Sequence, residues 1–370
     1  MWTFQLPTKI LFGLNTASSL AGLPEVKGCR VVVVTCSDVA DLPVIKERIK
    51  QIAPVAVFED VRPNPTVANV DALTEILREE KAETVIAIGG GSPMDCAKAA
   101  VCLAVTENPS IRAYHSEGKC FFQKPIPLIT VPTTAGTGSE VTPIAVLDDE
   151  EKNFKGPFSS PLFYPLCAVI DPLLTLSMPI SVTAATAMDA LSHAIEGYWS
   201  KQHQPICDTL AKDAAKIIFA NLPDVYETPT DTAAREALSY AALIAGIAFQ
   251  MPKNAIIHAC SFPLSSRLSM PHGTACAFMM EAAIRWNASS MEGRMEELAG
   301  HCGFATMEAM IHAVTTLKRR GGLPCTLQEA GIDAGILDIL VRESMHPLMN
   351  NNPRPVSEDD VRKLYQSLCE

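Results

Sequence analysis

Thr84-Val-Ile-Ala-Ile88 runs directly into Gly89-Gly-Gly-Ser-Pro-Met-Asp95, and a helical run continues through Lys98 toward Leu103. A short β-branched strand that empties into glycines and then a helix has the layout of a phosphate-binding loop. Glycines let backbone approach a pyrophosphate, and the helix N-terminus turns free N–H groups toward it. The loop is not G-x-G-x-x-G, so a plain tight βα turn explains the triple glycine equally well. A second unit of the same kind tips the balance: Pro127-Leu-Ile-Thr-Val-Pro132 opens into the small, hydroxyl-rich Thr133-Thr-Ala-Gly-Thr-Gly-Ser-Glu140. Two such loops at strand ends face one crevice in a doubly wound sheet.

The rest of the first half fits that sheet. Arg30-Val-Val-Val-Val-Thr-Cys36, Val55-Ala-Val-Phe58 and Cys167-Ala-Val-Ile-Asp171 read as buried parallel strands. Helical spacing falls through Ile45 and Ile49, and again at Val70, Leu73, Ile76 and Leu77, with Pro63-Asn-Pro-Thr66 breaking the chain between them. Residues 1–28 read as a capping segment ending at Lys27-Gly28, and Asp148-Asp-Glu-Glu-Lys152 as a solvated turn. Around Met178-Pro179 the pattern changes, and 183–200, 205–220, 233–249, 253–262, 273–287 and 305–319 read as helices. A chain of 370 residues exceeds the usual size of one core. The expectation is a Rossmann-like α/β domain over 1–178 and an all-helical domain over 179–370.

A formal net charge of −11 disfavours nucleic acid and anionic membrane as partners, while leaving room for a small anionic substrate. No apolar run approaches the roughly 18 residues of a membrane span. The N-terminus lacks a signal-peptide pattern, and the twelve cysteines form no C-x-x-C pair, which makes cytoplasm the expected compartment.

In the helical half, Thr186-Ala-Met-Asp-Ala-Leu-Ser-His-Ala-Ile-Glu-Gly197 places Asp189 and His193 one helical turn apart on one face. Such a pair serves either as two ligands of one cation or as a buried hydrogen-bonded contact. His258 lies in Asn254-Ala-Ile-Ile-His-Ala-Cys-Ser-Phe-Pro263, on a helix that Pro263 is expected to end, and His272 stands between Pro271 and Gly273 at the start of the next. Singly, each histidine reads as a core or cap residue. As a set, Asp189, His193, His258 and His272 supply three nitrogens and an oxygen, a donor set suited to Fe²⁺ or Zn²⁺. Histidines 115, 203, 301, 312 and 346 lack comparable contexts.

Four motifs together, Gly89–Asp95, Pro132–Glu140, Asp189–Glu196, and His258 with Pro271-His272-Gly273, resemble those of the iron-dependent alcohol dehydrogenase family over essentially the whole chain. The resemblance implies an active site between a nucleotide domain and a helical one, in a dehydroquinate synthase-like architecture. It implies metal ligation by Asp189, His193, His258 and His272. Gly90, Gly91, Ser92 and Asp95 match the pyrophosphate and ribose loop, Thr133, Thr134, Val146 and Lys155 further cofactor contacts, and Asn64 an adenosine-side contact. A homodimer or larger homo-oligomer is also implied.

Three positions depart from the family pattern. Where many members carry a second histidine, four residues after His258, this chain has Phe262, expected to wall the nicotinamide. The acid that often follows the first strand is displaced in Cys36-Ser37-Asp38, with NAD(H) expected over NADP(H). The segments around 189–201 and 258–272 resemble a branch that reduces phosphonoacetaldehyde and sulfoacetaldehyde, and Arg267 is the expected fork for the anionic head. Short aliphatic aldehydes or diols such as lactaldehyde or butanal are the competing substrates, and a dehydroquinate synthase-like cyclase is the competing reaction.

Overall fold

The computed structural model describes residues 1–152 and 154–368. They divide into two units: Gln5–Thr134 with Ser139–Thr175, and Met1–Phe4, Ala135–Gly138 and Leu176–Glu370.

The first unit is built on six parallel strands, β1 (Lys9–Phe12), β2 (Val31–Val34), β3 (Ala56–Phe58), β4 (Thr84–Gly89), β5 (Leu128–Pro132) and β8 (Cys167–Ile170), in the order β1-β8-β5-β4-β2-β3. The inner strands are buried along their whole length, which is why they read as unbroken apolar runs. From β2 the chain goes out to β3 and returns on the other side to β4, so the order reverses between β2 and β4. Ligands of such sheets bind at the carboxyl ends of the strands flanking that reversal. The connecting helices are α1 (Ser37–Ala40), α2 (Pro43–Ile52), α3 (Val67–Glu79), α4 (Gly91–Leu103) and the single turn α5 (Arg112–His115).

Two elements differ from the sequence reading. Lys9–Phe12 is not a cap but an edge strand, paired in register with Cys167–Ile170. Its half-exposed side chains give no buried run to recognise. The supposed solvated turn at 148–152 starts inside a hairpin, in which β6 (Ile144–Asp149) pairs with β7 (Phe154–Ser159). Asp149 is buried there because Arg112 Nε (3.0 Å) and Ser116 Oγ (2.6 Å) donate to its carboxylate. In sequence that acid is indistinguishable from its solvated neighbours.

The second unit contains only helices among its described residues: α6 (Ile180–Trp199), α7 (Pro205–Glu227), α8 (Thr232–Phe249), α9 (Ile256–Leu268), α10 (His272–Ala288), α11 (Arg294–His301), α12 (Met307–Arg320), α13 (Ala334–Ser344) and α14 (Glu358–Gln366), with short 3₁₀ turns. Helix α6 runs through the core, with nearly every residue from Thr183 to Trp199 buried. Pro263 does not end α9, which continues to Leu268. An interior proline costs about 3 kcal/mol. Ile256, Ile257, Ala259, Cys260 and Leu264 are completely buried and offset that cost by packing, while Tyr365 Oη donates to Cys260 O at 3.3 Å in the turn before the proline.

Candidate metal centre and nucleotide loops

A carboxylate at the middle of an all-round buried helix is desolvated, and burial pushes the Asp189 carboxyl up to about 6. Its Oδ1 has no hydrogen-bond partner, although the residue is only 2% exposed. Around that oxygen stand His193 Nε2 at 3.8 Å, His258 Nε2 at 3.7 Å and His272 Nε2 at 3.7 Å. These separations are too long for hydrogen bonds. Donors about 2.1 Å from one tetrahedral ion stand about 3.4 Å from each other. Each nitrogen is thus within a few tenths of an ångström of the separation from Asp189 Oδ1 that two ligands of one ion keep. His258 Nε2 also lacks a partner, so an acceptor and a nitrogen are both buried and unsatisfied at one point. A divalent cation satisfies both at once, and the residues fit it.

Each ligand candidate is aimed by its surroundings. His258 Nδ1 donates to Glu196 Oε2 at 2.6 Å, and Glu196 Oε1 accepts Ile257 N–H at 2.6 Å. A carboxylate only accepts, so the proton sits on Nδ1 and the Nε2 lone pair points toward Asp189. Burial opposes charge on His258, but Cys276 and Glu196 beside it outweigh burial and raise its pKa. His193 stacks on Phe249 (4.0 Å between centroids, 8° between planes) and on His258 (4.7 Å). Burial, with His258 and His272 nearby, holds His193 well below the ordinary imidazole range, and a neutral ring is the form that ligates. His272 opens α10, and Gly273 lets it approach. A β-carbon at Gly273 would lie 2.1 Å from Ala185 O, so only glycine lets α10 start directly against α6.

Two residues of this site escaped the sequence reading. Glu196 was visible only as the end of a motif. Cys276 lies one turn after His272, with Sγ 3.8 Å from His272 Nε2, and the donor atoms of Asp189, His258, His272 and Cys276 all lie within 4.8 Å of each other. The signal for it was the same four-residue spacing that singled out Asp189 and His193.

Two further candidate residues have partners outside the metal cluster. The ring of Phe262 meets His346 edge-on at 5.0 Å. Arg267 has a side chain 54% exposed and gives its guanidinium to Glu343, with Nε 2.9 Å from Oε2 and Nη2 2.5 Å from Oε1. That exposed pair occupies the guanidinium expected to fork an anionic head.

In the α/β unit, Thr133 N donates to Gly89 O at 2.9 Å, which holds the two loops side by side at the ends of β4 and β5. Helix α4 begins at Gly91 after Gly90 with no side-chain cap on its N–H groups. A β-carbon on Gly90 would already touch Thr134 at 3.5 Å. Ser92 Oγ accepts Asn64 N–H at 3.2 Å, and Asn64 Oδ1 accepts from Lys155 Nζ at 2.9 Å. Asp95 is used internally, accepting from Ser139 Oγ at 2.5 Å and from Val146 N at 2.9 Å. It therefore fastens α4 to the second loop and to β6. Asn64, Ser92 and Lys155 form one hydrogen-bonded group, and Asp95 and Val146 another.

A family model for iron-containing alcohol dehydrogenase matches residues 7–172, and one for the C-terminal part of the Fe-containing alcohol dehydrogenase family matches 183–369. The chain belongs to the iron-containing alcohol dehydrogenase family. It is an NAD(P)-dependent oxidoreductase of that type, with the parallel α/β and helical architecture of the family. It is similar to the crystal structure of sulfoacetaldehyde reductase from Bifidobacterium kashiwanohense in complex with NAD⁺, at 41% identity and a TM-score of 0.95, covering 100% of this chain and 99% of that one. A 1-propanol dehydrogenase of Salmonella typhimurium is 31% identical over 100% of both chains. A 1,3-propanediol dehydrogenase of Citrobacter freundii is 33% identical over 84% of this chain and 82% of that one. No helix among the described residues of this alcohol dehydrogenase is long and apolar enough to cross a membrane.

Proposed function

We propose that the chain is an aldehyde reductase that passes hydride from NADH to a short aldehyde with an anionic head, sulfoacetaldehyde first and phosphonoacetaldehyde second. The metal function belongs to residues 179–370 and the nucleotide function to 1–178. The observation that carries the metal half is the unpartnered Asp189 Oδ1 with three imidazole nitrogens 3.7–3.8 Å away. The whole-length likeness at 41% identity supports the substrate.

A bound Fe²⁺ or Zn²⁺ supplies Lewis acidity that polarises the carbonyl. Asp189, His193, His258 and His272 hold it, with Glu196 keeping the His258 lone pair inward. The α4 N-terminus and the Thr133–Thr134 loop take the pyrophosphate, and Asn64 and Lys155 the adenosine side. Asp38, exposed just beyond β2, carries the negative charge that would favour NAD(H) by repelling a 2′-phosphate. Phe262 has no proton to give, so the proton that completes the alcohol comes from water or a cofactor ribose hydroxyl. The described cysteines are all free thiols, in keeping with a cytoplasmic enzyme.

The pairing of Arg267 with Glu343 favours a second reading, an uncharged short aldehyde such as lactaldehyde or butanal. Metal-free protein reloaded anaerobically with Fe²⁺ or Zn²⁺ separates the two. NADH and NADPH oxidation is followed with sulfoacetaldehyde, phosphonoacetaldehyde, lactaldehyde and butanal. A higher kcat/KM for butanal than for sulfoacetaldehyde overturns the anionic-head reading, and metal-independent turnover overturns the reaction itself.

A further inference from the structure

We infer that Cys276 is itself a ligand of the metal, through its thiolate, so that the centre has nitrogen, oxygen and sulfur donors. The inference rests on the metal reading above and extends its ligand set. Helix α10 presents His272 and Cys276 one turn apart, as α6 presents Asp189 and His193. Cys276 is completely buried, and its Sγ belongs to the group of donor atoms within 4.8 Å of one another around Asp189 and His258. Two other members of that group, Asp189 Oδ1 and His258 Nε2, are each in a residue 2% exposed and have no hydrogen-bond partner. They mark independently the point toward which the thiol is turned.

The Cys276–His272 separation is close to that of two ligands on one ion. A thiolate about 2.3 Å and an imidazole nitrogen about 2.05 Å from one ion stand about 3.6 Å apart at a tetrahedral angle and about 3.8 Å apart at the angle of about 120° open to a five-coordinate ion. Cys276 Sγ and His272 Nε2 are 3.8 Å apart. On coordination the S–H bond breaks, its electron pair goes to the metal and the proton leaves to solvent. No oxidant or reductant is needed. A thiolate shifts the preference of the site toward softer ions such as Zn²⁺ and Co²⁺ and away from Mn²⁺.

The test uses the whole chain, stripped of metal and reloaded with one equivalent of Co²⁺. Wild type is expected to show an intense near-ultraviolet sulfur-to-cobalt charge-transfer band, absent from Cys276→Ser and Cys276→Ala and retained in Cys302→Ala. X-ray absorption on zinc-loaded wild type, which needs no variant to fold, is expected to show a sulfur shell at about 2.3 Å beside nitrogen and oxygen at about 2.0–2.1 Å. Zn²⁺ affinity is expected to fall roughly tenfold in Cys276→Ala, and Mn²⁺ affinity by less than about threefold. Stoichiometric Co²⁺ uptake that Asp189→Ala abolishes, with no sulfur band or shell, overturns the thiolate and leaves the metal centre standing. A wild-type protein that takes up no Co²⁺ or Zn²⁺ overturns both.

Discussion

Glu196→Gln isolates the contribution of a residue that touches no ion. Glu196 is completely buried and spends one oxygen on His258 Nδ1–H and the other on Ile257 N–H, both at 2.6 Å. A glutamine of the same shape has one acceptor and one donor. If its oxygen keeps Ile257 N–H, its amide faces Nδ1 and forces the other tautomer, with a proton on Nε2 where the metal must bind. If its oxygen faces Nδ1, two buried N–H groups meet at Ile257. Either arrangement loses one hydrogen bond to a charged group, worth about 1.5–3 kcal/mol. At about 1.4 kcal/mol per decade, metal affinity is expected to fall by roughly 10–100-fold, the range measured for such outer carboxylates. Competition with a chromophoric chelator reads the dissociation constant, and circular dichroism of the metal-free form verifies the fold. Glu196→Ala should lose at least as much. A folded Glu196→Gln protein that binds Zn²⁺ within about twofold of wild type refutes the tautomer argument.

Gly273→Ala should disrupt the site more than the fold. The new β-carbon, 2.1 Å from Ala185 O, must push the start of α10 away from α6 and carry His272 out of reach of Asp189. Loss of stoichiometric metal binding, with Tm lowered in the metal-free form too, is the expected result from metal analysis and calorimetry. In metal-free protein, Asp189→Asn should raise stability at neutral pH. The folded carboxyl titrates at about 6, above an unfolded value of about 3.9. The stability it contributes is therefore full below about pH 4 and lost as pH rises through about 6. Asparagine cannot ionise, so its advantage should reach about 2–3 kcal/mol above that window and vanish below it, read by urea unfolding in chelator. A pH-independent difference would contradict the burial account. Arg267→Ala removes an exposed surface pair worth at most about 1 kcal/mol, and kcat/KM for sulfoacetaldehyde should stay within about twofold. A tenfold rise in KM would return Arg267 to the substrate.

The inner strands, the two loops and the larger helices were legible because each announces itself within a few residues. Four valines in succession at 31–34 can be buried on both faces only in a parallel sheet, and Asp189 and His193 share a helix face by spacing alone. The edge strand at 9–12, the hairpin at 144–159 and the continuation of α9 past Pro263 were not legible. Each is decided by what packs on it: β8 beside β1, Arg112 and Ser116 on Asp149, and the buried apolar face of α9.

The amino-acid sequence by itself thus determined the α/β half, the helical half and the donor types available to a cation, because periodicity and spacing act inside one element. Only the tertiary structure decided which groups meet. It brought Glu196 to His258 across 62 residues of chain, turned Cys276 toward the same point, and sent Arg267 to Glu343 across 76. Those pairings depend on how helices cross and how closely a residue such as Gly273 lets them approach, and neither is written in the local order of residues.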